Sequence, residues 1–516
     1  MSARRGSQLA AALVLLLALF QAAVLQGGDQ LLDDAYIFFR YVDNWLAGHG
    51  LSWNPGGERV EGYTSFLWVL VLAGPRALGA EPVALAHALN TLFFAALALL
   101  ALRLLTRAAG GFRAVLALGP LWIATSAQLG AAARSGMELV LFLLLALGAL
   151  TLHLFPPAGA RGRVLGGLVF ALVVLARPEG LLLYLACAVE GLWRGRADRS
   201  AALRAELPRL AGLLVLLVPH LAWRLAYYGE LLPNTFHAKV AFSLPGVARG
   251  LTGLVQFLGT FRGAVLALAL GLWVLAPRTR LGHLLAGLAL LWLGYCALYL
   301  GLPDWAENYN YTVLLDLVAL LLVGHALAGL VAGRAPGWTG GARLAAGLAL
   351  LLSLAGNLSG ALASRAQRGG WRVTLADEPR QGLTAGFVAI GRKLRELAPP
   401  GATVATGACG AIPYLSGLVT IDTLGLNDKH IARQPIRSPG TAPFGHERGD
   451  GAYVLAQAPT FVIMLPFPTP SPRRGFTGFA QTFRDLAESD EFKRRYEFKA
   501  VPLPDGTYFN YFERRE

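Results

Sequence analysis

The sequence predicts a mainly α-helical, polytopic membrane protein that carries a C-terminal α/β domain. Three observations predict it. Hydrophobic residues make up 55% of the 516 and charged residues only 15%, against about 25% charged in an ordinary globular chain, and the mean hydropathy is +0.51. The apolar residues gather into about eleven runs suited to crossing roughly 30 Å of hydrocarbon. Past residue 364 these runs stop, and mixed polar sequence continues for about 150 residues, enough for one domain. The expected division is therefore 1–363 and 364–516.

The first run, Leu9 to Leu25 behind Arg4 and Arg5, reads as an uncleaved span. Leu31-Leu32-Asp33-Asp34 follows it rather than a small-residue cleavage site, so a removable signal peptide fits less well. Further runs lie at 82–103, 114–130, 137–155, 209–226, 255–276, 281–301, 311–332 and 342–362. Two shorter ones, 164–176 and 181–193, flank Arg177-Pro178-Glu179-Gly180. Ser65 to Leu78 is short for a crossing and contains Gly74-Pro75-Arg76, which suits an interfacial or re-entrant helix.

Placing the charge tests this count. The formal net charge is +14 with pI ≈ 10.0, which in a soluble chain would suggest nucleic acid. Here the arginines cluster in alternate loops: Arg103, Arg107 and Arg113; Arg161 and Arg163; Arg194, Arg196, Arg199, Arg204 and Arg209; Arg278 and Arg280; Arg334 and Arg343. That alternation marks these loops as cytoplasmic and excludes a nucleic-acid partner. The opposite loops, near 27–64, 130–137, 177–180, 227–250 and 301–310, hold most of the carboxylates, amides and aromatics.

In the C-terminal part, Gly382 to Leu397 reads as a helix. Thr403 to Thr406, Val419 to Asp422, Thr460 to Leu465, Tyr496 to Val501 and Thr507 to Phe512 read as strands. An odd number of spans puts this domain outside the cytoplasm. Cys187 and Cys296 fall in apolar runs as plain buried thiols, and Cys409 stands alone without a disulfide partner in its domain.

Chemistry is expected in the outer loops. Asp33 and Asp34 stand where the first span leaves the membrane, and paired carboxylates against hydrocarbon cost several kcal/mol unless hydrated, paired or functional. They read either as a hydrated membrane edge or as a general base or cation ligand, with Arg40 as charge partner or anion binder. The glycines, Asn54-Pro55 turn and interleaved aromatics of 48–64 suit a loop folding over a sugar. A single His446 among scattered carboxylates is not a metal signature, and a divalent cation stays an open question.

The segments DDAYIFFRY (33–41) and GHGLSWNPGGERVEGYTSFLW (48–68) resemble the first outer loop of membrane glycosyltransferases of the C-type superfamily, in the branch holding the terminal arabinofuranosyltransferases. Further matching stretches follow in order. They are Ser135-Gly136-Met137-Glu138, Ala176-Arg177-Pro178-Glu179-Gly180, Leu232-Pro233-Asn234-Thr235-Phe236 with Lys239, Asp304-Trp305, Ile421-Asp422-Thr423-Leu424-Gly425-Leu426 and Gly445-His446-Glu447.

The resemblance implies a C-type fold in a bacterial inner membrane. It further implies a polyprenyl-phosphate donor whose sugar, a pentose such as arabinofuranose, moves to a cell-envelope glycan, lipid or protein. It gives Asp33 and Asp34 the catalytic role, without ordering them, and Arg40, Arg177 and Lys239 the donor phosphate. Tyr36, Glu61, Tyr63, Thr64, Glu138, Glu179, Asn234, His237, Asp304, Trp305 and His446 become sugar or acceptor contacts. At Asp304 the chain departs from the family pattern, reading Asp304-Trp305-Ala306-Glu307 without an arginine. The other classes weighed are a non-catalytic membrane protein with a sensing outer domain, as in relatives tied to flagellar motor control, and a secondary transporter, which would place ionisable groups at mid-membrane.

Overall fold

A computed structural model describes the chain except for residues 1–2, 26–29, 240–242, 276–277, 303–308, 332–378, 380–381, 438–441, 443–444, 477, 479 and 516. The expected run 342–362 and the candidates Asp304 and Trp305 lie outside the described residues.

The apolar body opens with α1 (Ala3–Phe20), prolonged to Leu25 by a π-helical turn. Two non-spanning helices follow, α2 (Asp33–Asn44) and α3 (Phe66–Ala77), and then α4 (Pro82–Ala108), α5 (Leu118–Thr125), α6 (Ala127–Arg134) and α7 (Leu139–Leu154). The body continues through α8 (Gly159–Ala176), α9 (Gly180–Arg194), α10 (Arg199–Tyr228), α11 (Asn234–Lys239), α12 (Leu244–Leu258), α13 (Phe261–Leu275), α14 (Arg280–Gly294) and α15 (Tyr309–Val331).

Ten of the eleven expected runs are helical, yet they do not give eleven straight crossings. Among the described residues six helices are long and apolar enough to span a membrane, or up to eight if each of two bent pairs is one span. The run 114–130 breaks between α5 and α6 by 46°. There Ser126 leaves helical geometry and its hydroxyl accepts from Leu129 N–H, which starts a new helix. The run drawn at 255–276 is the second arm of the pair α12–α13, bent by 84°, with Thr260 accepting from Gly263 N–H in the same way. The helices α7 and α9, of 16 and 15 residues, are shorter than a full crossing.

The C-terminal domain contains α16 (Gly382–Leu397), β1 (Thr403–Thr406), α17 (Ala411–Ser416), β2 (Val419–Asp422), α18 (Lys429–Ala432), α19 (Gly451–Ala456), β3 (Phe461–Ile463), α20 (Gln481–Glu488), α21 (Asp490–Arg495), β4 (Tyr496–Pro502) and β5 (Tyr508–Arg514). All five expected strands form one sheet in the order β2-β1-β3-β5-β4. β1 pairs in parallel with β2 (Thr406 opposite Asp422) and β3 (Val404 opposite Phe461), whereas β5 runs antiparallel to β3 and β4.

The loops leaving β1 and β2 face the membrane body, the side on which parallel α/β sheets usually present their working loops. Asp422 anchors the second loop, its carboxylate accepting from the backbone N–H of Leu424, Gly425 and Asn427. That loop reaches Asn234, whose side-chain amide donates to the carbonyls of Gly425 (2.8 Å) and Leu426 (3.0 Å).

Candidate active site

Helix α2 decides the site, because neighbouring residues on a helix point about 100° apart and the two aspartates go to different places. Asp33 points into the C-terminal domain, where its carboxylate accepts from the N–H groups of Gly410 (3.0 Å) and Ala411 (2.7 Å) at the start of α17. Glycine is required at 410, since a Cβ there would lie 1.9 Å from the Asp33 carbonyl oxygen. Burial pushes the Asp33 carboxyl up to about 7, with the neighbouring Asp34 charge adding to the shift and the two N–H bonds opposing it. Asp34 instead lines a polar cavity together with Tyr63, Thr64, Glu138, Arg177, Thr235 and Lys239.

The walls of this cavity follow from local structure. Gly136 has φ +75°, and a Cβ there would meet Leu31 and Ala35 at 2.6 and 2.7 Å, so only glycine lets α2 approach. The same turn is pinned by Leu32 N–H to Ser135 O, Trp68 Nε1–H to Gly136 O and Asn90 Nδ2–H to Met137 O. It delivers Glu138 to the cavity at the head of α7.

Between α8 and α9, Pro178 prevents a continuous helix, and Arg177 turns inward to bind Glu138 (2.6 Å) and Glu179 (2.7 Å). The Arg177 charge is thus answered twice over, while Glu138 Oε2 is buried without a hydrogen-bond partner among the described residues. Lys239 differs. Among the described residues no carboxylate is in ion-pair contact with it, and it feels Asp34 and Glu138 only at longer range. Burial lowers the Lys239 pKa, but Tyr311 and Asp34 outweigh that and leave it raised, so the ammonium stays charged.

The cavity is small, about 40 Å³, and continues into an apolar groove of about 660 Å³. Thr64, Arg177, Thr235, Lys239 and Tyr311 border both. Beyond them the groove is walled by side chains such as Leu182, Leu232, Leu290 and Leu291, with Tyr295 and Tyr299. A carboxylate and an ammonium without an ion-pair partner among the described residues therefore sit at one end of an apolar groove within the size range of ligand sites.

Several residues singled out from the sequence lie away from this cavity. Arg40, expected on the donor phosphate, does not line the cavity. It is buried, lies over the Trp53 ring, and donates to the carbonyls of Trp53 (2.8 Å), Pro413 and Leu418 (2.8 Å) and to Asn54 Oδ1 (3.0 Å). Tyr36 packs between Phe39 and Tyr414. Glu61 forms a two-pronged ion pair with Arg224 (2.8 and 3.0 Å), and Asn234 is occupied by the 425–428 carbonyls. His237 pairs with Glu230 at 3.2 Å. None of these five lines the cavity: Arg40, Tyr36, Glu61 and Asn234 join the first loop or the 230–239 segment to a neighbouring part of the fold, and His237 pairs within its own segment.

Tyr63, Thr64, Glu138, Arg177 and Lys239 are at the cavity, and Glu179 lines the groove. His446 follows Gly445, which packs against the Lys239 alkyl chain. Thr235, Asn310 and Tyr311 are cavity residues not singled out from the sequence. Thr235 sits inside the quoted Leu232 to Phe236 stretch, and its hydroxyl lies 3.2 Å from that of Thr64.

A divalent cation would need several oxygen ligands, but Glu138 and Glu179 are held by Arg177. Among the described residues no group of three or more His, Cys, Asp or Glu is arranged to hold an ion.

Comparison with known proteins agrees with this architecture. A family model described as a domain of unknown function (DUF8728) matches residues 375–510, and no curated protein matches the chain. The arabinofuranosyltransferase AftD from mycobacteria superimposes with a TM-score of 0.52 at 18% identity, covering 100% of this chain and 40% of that one. The Archaeoglobus fulgidus oligosaccharyltransferase AglB, solved with an inhibitory peptide and a dolichol-phosphate, gives 0.51 at 13% identity over 98% and 74%. The chain has the C-type glycosyltransferase fold. Within that fold, α2 is the helix of the first loop between spans, and the α/β domain closes over it.

Proposed function

We propose that this protein is an integral-membrane glycosyltransferase that moves a sugar from a polyprenyl-phosphate donor to an extracytoplasmic acceptor. The observation that carries the reading is the junction of Asp34 and Lys239 with the apolar groove. The polyprenyl chain lies in the groove, its phosphate against Lys239 and its sugar at the junction with the Asp34 cavity. The acceptor hydroxyl attacks the anomeric carbon, and the bond from that carbon to the phosphate oxygen breaks with its electron pair. Asp34 takes the hydroxyl proton, while Lys239 stabilises the charge growing on the departing polyprenyl phosphate. Arg177 holds Glu138 and Glu179 in place, so it acts as a positioning residue.

The donor sugar is a pentose such as arabinofuranose, a reading supported by the first-loop resemblance. In this reading residues 364–516 are the extracytoplasmic domain, and the acceptor, a cell-envelope glycan, lipid or protein, lies on that side of a bacterial inner membrane. The test supplies the purified protein in liposomes with radiolabelled polyprenyl-phosphate arabinose, a polyprenyl-phosphate hexose and a panel of envelope glycans. Label passing from the pentose donor to glycan is expected. Transfer from the hexose donor alone would refute the pentose, and no transfer from either donor would refute the reaction.

A further inference from the structure

The helices α9 and α14 wall the donor groove at one end and a second cavity at the other. Leu181 and Leu290 belong to the first; Val189, Leu284 and Leu288 belong to the second, which has a volume of about 660 Å³. Thirteen residues of α9 separate Leu181 from Arg194, about 20 Å at 1.5 Å per residue. The second cavity therefore lies at the far, arginine-rich ends of both helices from the transfer site, the ends that the arginine placement assigns to the cytoplasm.

Its charge is one-sided. Arg194, Arg196, Arg278 and Arg280 line it with a single carboxylate, Glu190, and Glu190 is already taken by Arg280 (2.8 Å) and His153 (2.8 Å). Arg194 reaches Glu190 only at 3.7 Å and its side chain is 58% exposed. Arg196 bonds to the Trp193 carbonyl and lies over that ring, and Arg278 has no carboxylate partner among the described residues. Arg194, Arg196 and Arg278 thus border one cavity whose single carboxylate is shared with Arg280 and His153, above an apolar floor where Val189 and Trp193 are 66% and 67% exposed. The excess of positive charge attracts an anion, and the floor suits hydrocarbon.

We propose that this cavity binds one anionic phospholipid of the cytoplasmic leaflet. The headgroup phosphate is received by Arg194, Arg196 and Arg278, and an acyl chain lies along Val189, Leu284 and Leu288. Basic pockets between membrane helices on the cytoplasmic side recognise lipid headgroups in this way. A neutral lipid or the tail of the polyprenyl donor would fill the floor and leave the arginines unanswered.

The full-length protein, delipidated and then offered equal amounts of phosphatidylglycerol and phosphatidylcholine, is examined by native mass spectrometry. One retained phosphatidylglycerol is expected. Retention should fall roughly 10²-fold in an Arg194→Gln/Arg196→Gln/Arg278→Gln variant, at about fivefold per charge. Val189→Trp, which fills the floor and keeps every arginine, should also lower it, and millimolar inorganic phosphate should not compete. Equal retention of the two lipids, unchanged retention in either variant, or displacement by phosphate would each overturn the proposal.

Discussion

Removing the Arg40 guanidinium should loosen the C-terminal domain rather than weaken donor binding. In Arg40→Met the carbonyls of Trp53, Pro413 and Leu418 each lose a charged donor and keep a neutral one, from Asn44, Gly417 and Thr420. At about 1.5–3 kcal/mol for each hydrogen bond to a charged group, the loss is roughly 6 kcal/mol. Part is returned, because burial lowers the Arg40 pKa from 12.5 to about 10, so keeping that charge costs roughly 3 kcal/mol that methionine does not. The net cost is about 3 kcal/mol, a population change on the order of 10²-fold. Because Pro413 lies in α17 and Leu418 just beyond its end, the loss falls on the contact between that helix and the first loop. Limited proteolysis of the purified protein should cleave the domain free about 10²-fold faster, while the donor KM of the surviving protein changes by less than about threefold. Unchanged proteolysis with a donor KM raised tenfold or more would show that Arg40 binds phosphate after all.

The same contact should respond to pH through Asp33. Its pKa rises from 3.8 to about 7 on docking, so the docked state holds the proton more tightly. Its contribution is full below about pH 4 and is lost as pH climbs to about 7, by about 4 kcal/mol in all. Unfolding midpoints measured from pH 5 to 8 should show this slope in the wild type and not in Asp33→Asn; an equal slope in both would contradict it. Gly410→Ala, which drives a methyl into the Asp33 backbone, should release the domain in the same proteolysis assay. Gly74→Ala, with nothing within 4 Å of the new methyl, should leave it docked, and identical behaviour of the two alanines would count against the α2–α17 contact. Lys239→Met should lower kcat/KM for the donor by about 10²–10³, with Lys239→Arg recovering part; an unaffected Lys239→Met enzyme would remove the lysine from the phosphate site.

The sequence was informative wherever the decisive physics is local. Apolar runs long enough for a bilayer became helices, and the strands at 403–406 and 419–422 appear as expected because their turns and patterning are local too. The helix breaks after Thr125 and Leu258 rest on single hydroxyl caps, at Ser126 and Thr260, inside runs that are otherwise uniformly apolar. They are easily missed.

The site was legible as a set of loops, and less so as a set of roles. Asp33 and Asp34 are chemically identical neighbours. Only contacts 377 and 378 residues away, at Gly410 and Ala411, divide structural from cavity-facing carboxylate. Arg40 misled for the same reason, since an arginine in an outer loop suits a phosphate equally well until the Pro413 and Leu418 carbonyls are brought to it. Thr235 and Tyr311 carry no charge to draw attention, and only the folded walls of the cavity reveal them.

The central claim is that Asp34, and not Asp33, takes the proton. Single-turnover transfer from a radiolabelled polyprenyl-phosphate sugar, measured for Asp34→Asn and Asp33→Asn at a pH where both variants stay folded, tests it most directly. The account predicts a loss of about 10²–10⁴ for Asp34→Asn and a rate within about tenfold of wild type for Asp33→Asn. Near wild-type transfer by Asp34→Asn, or the two losses in reverse order, would contradict it.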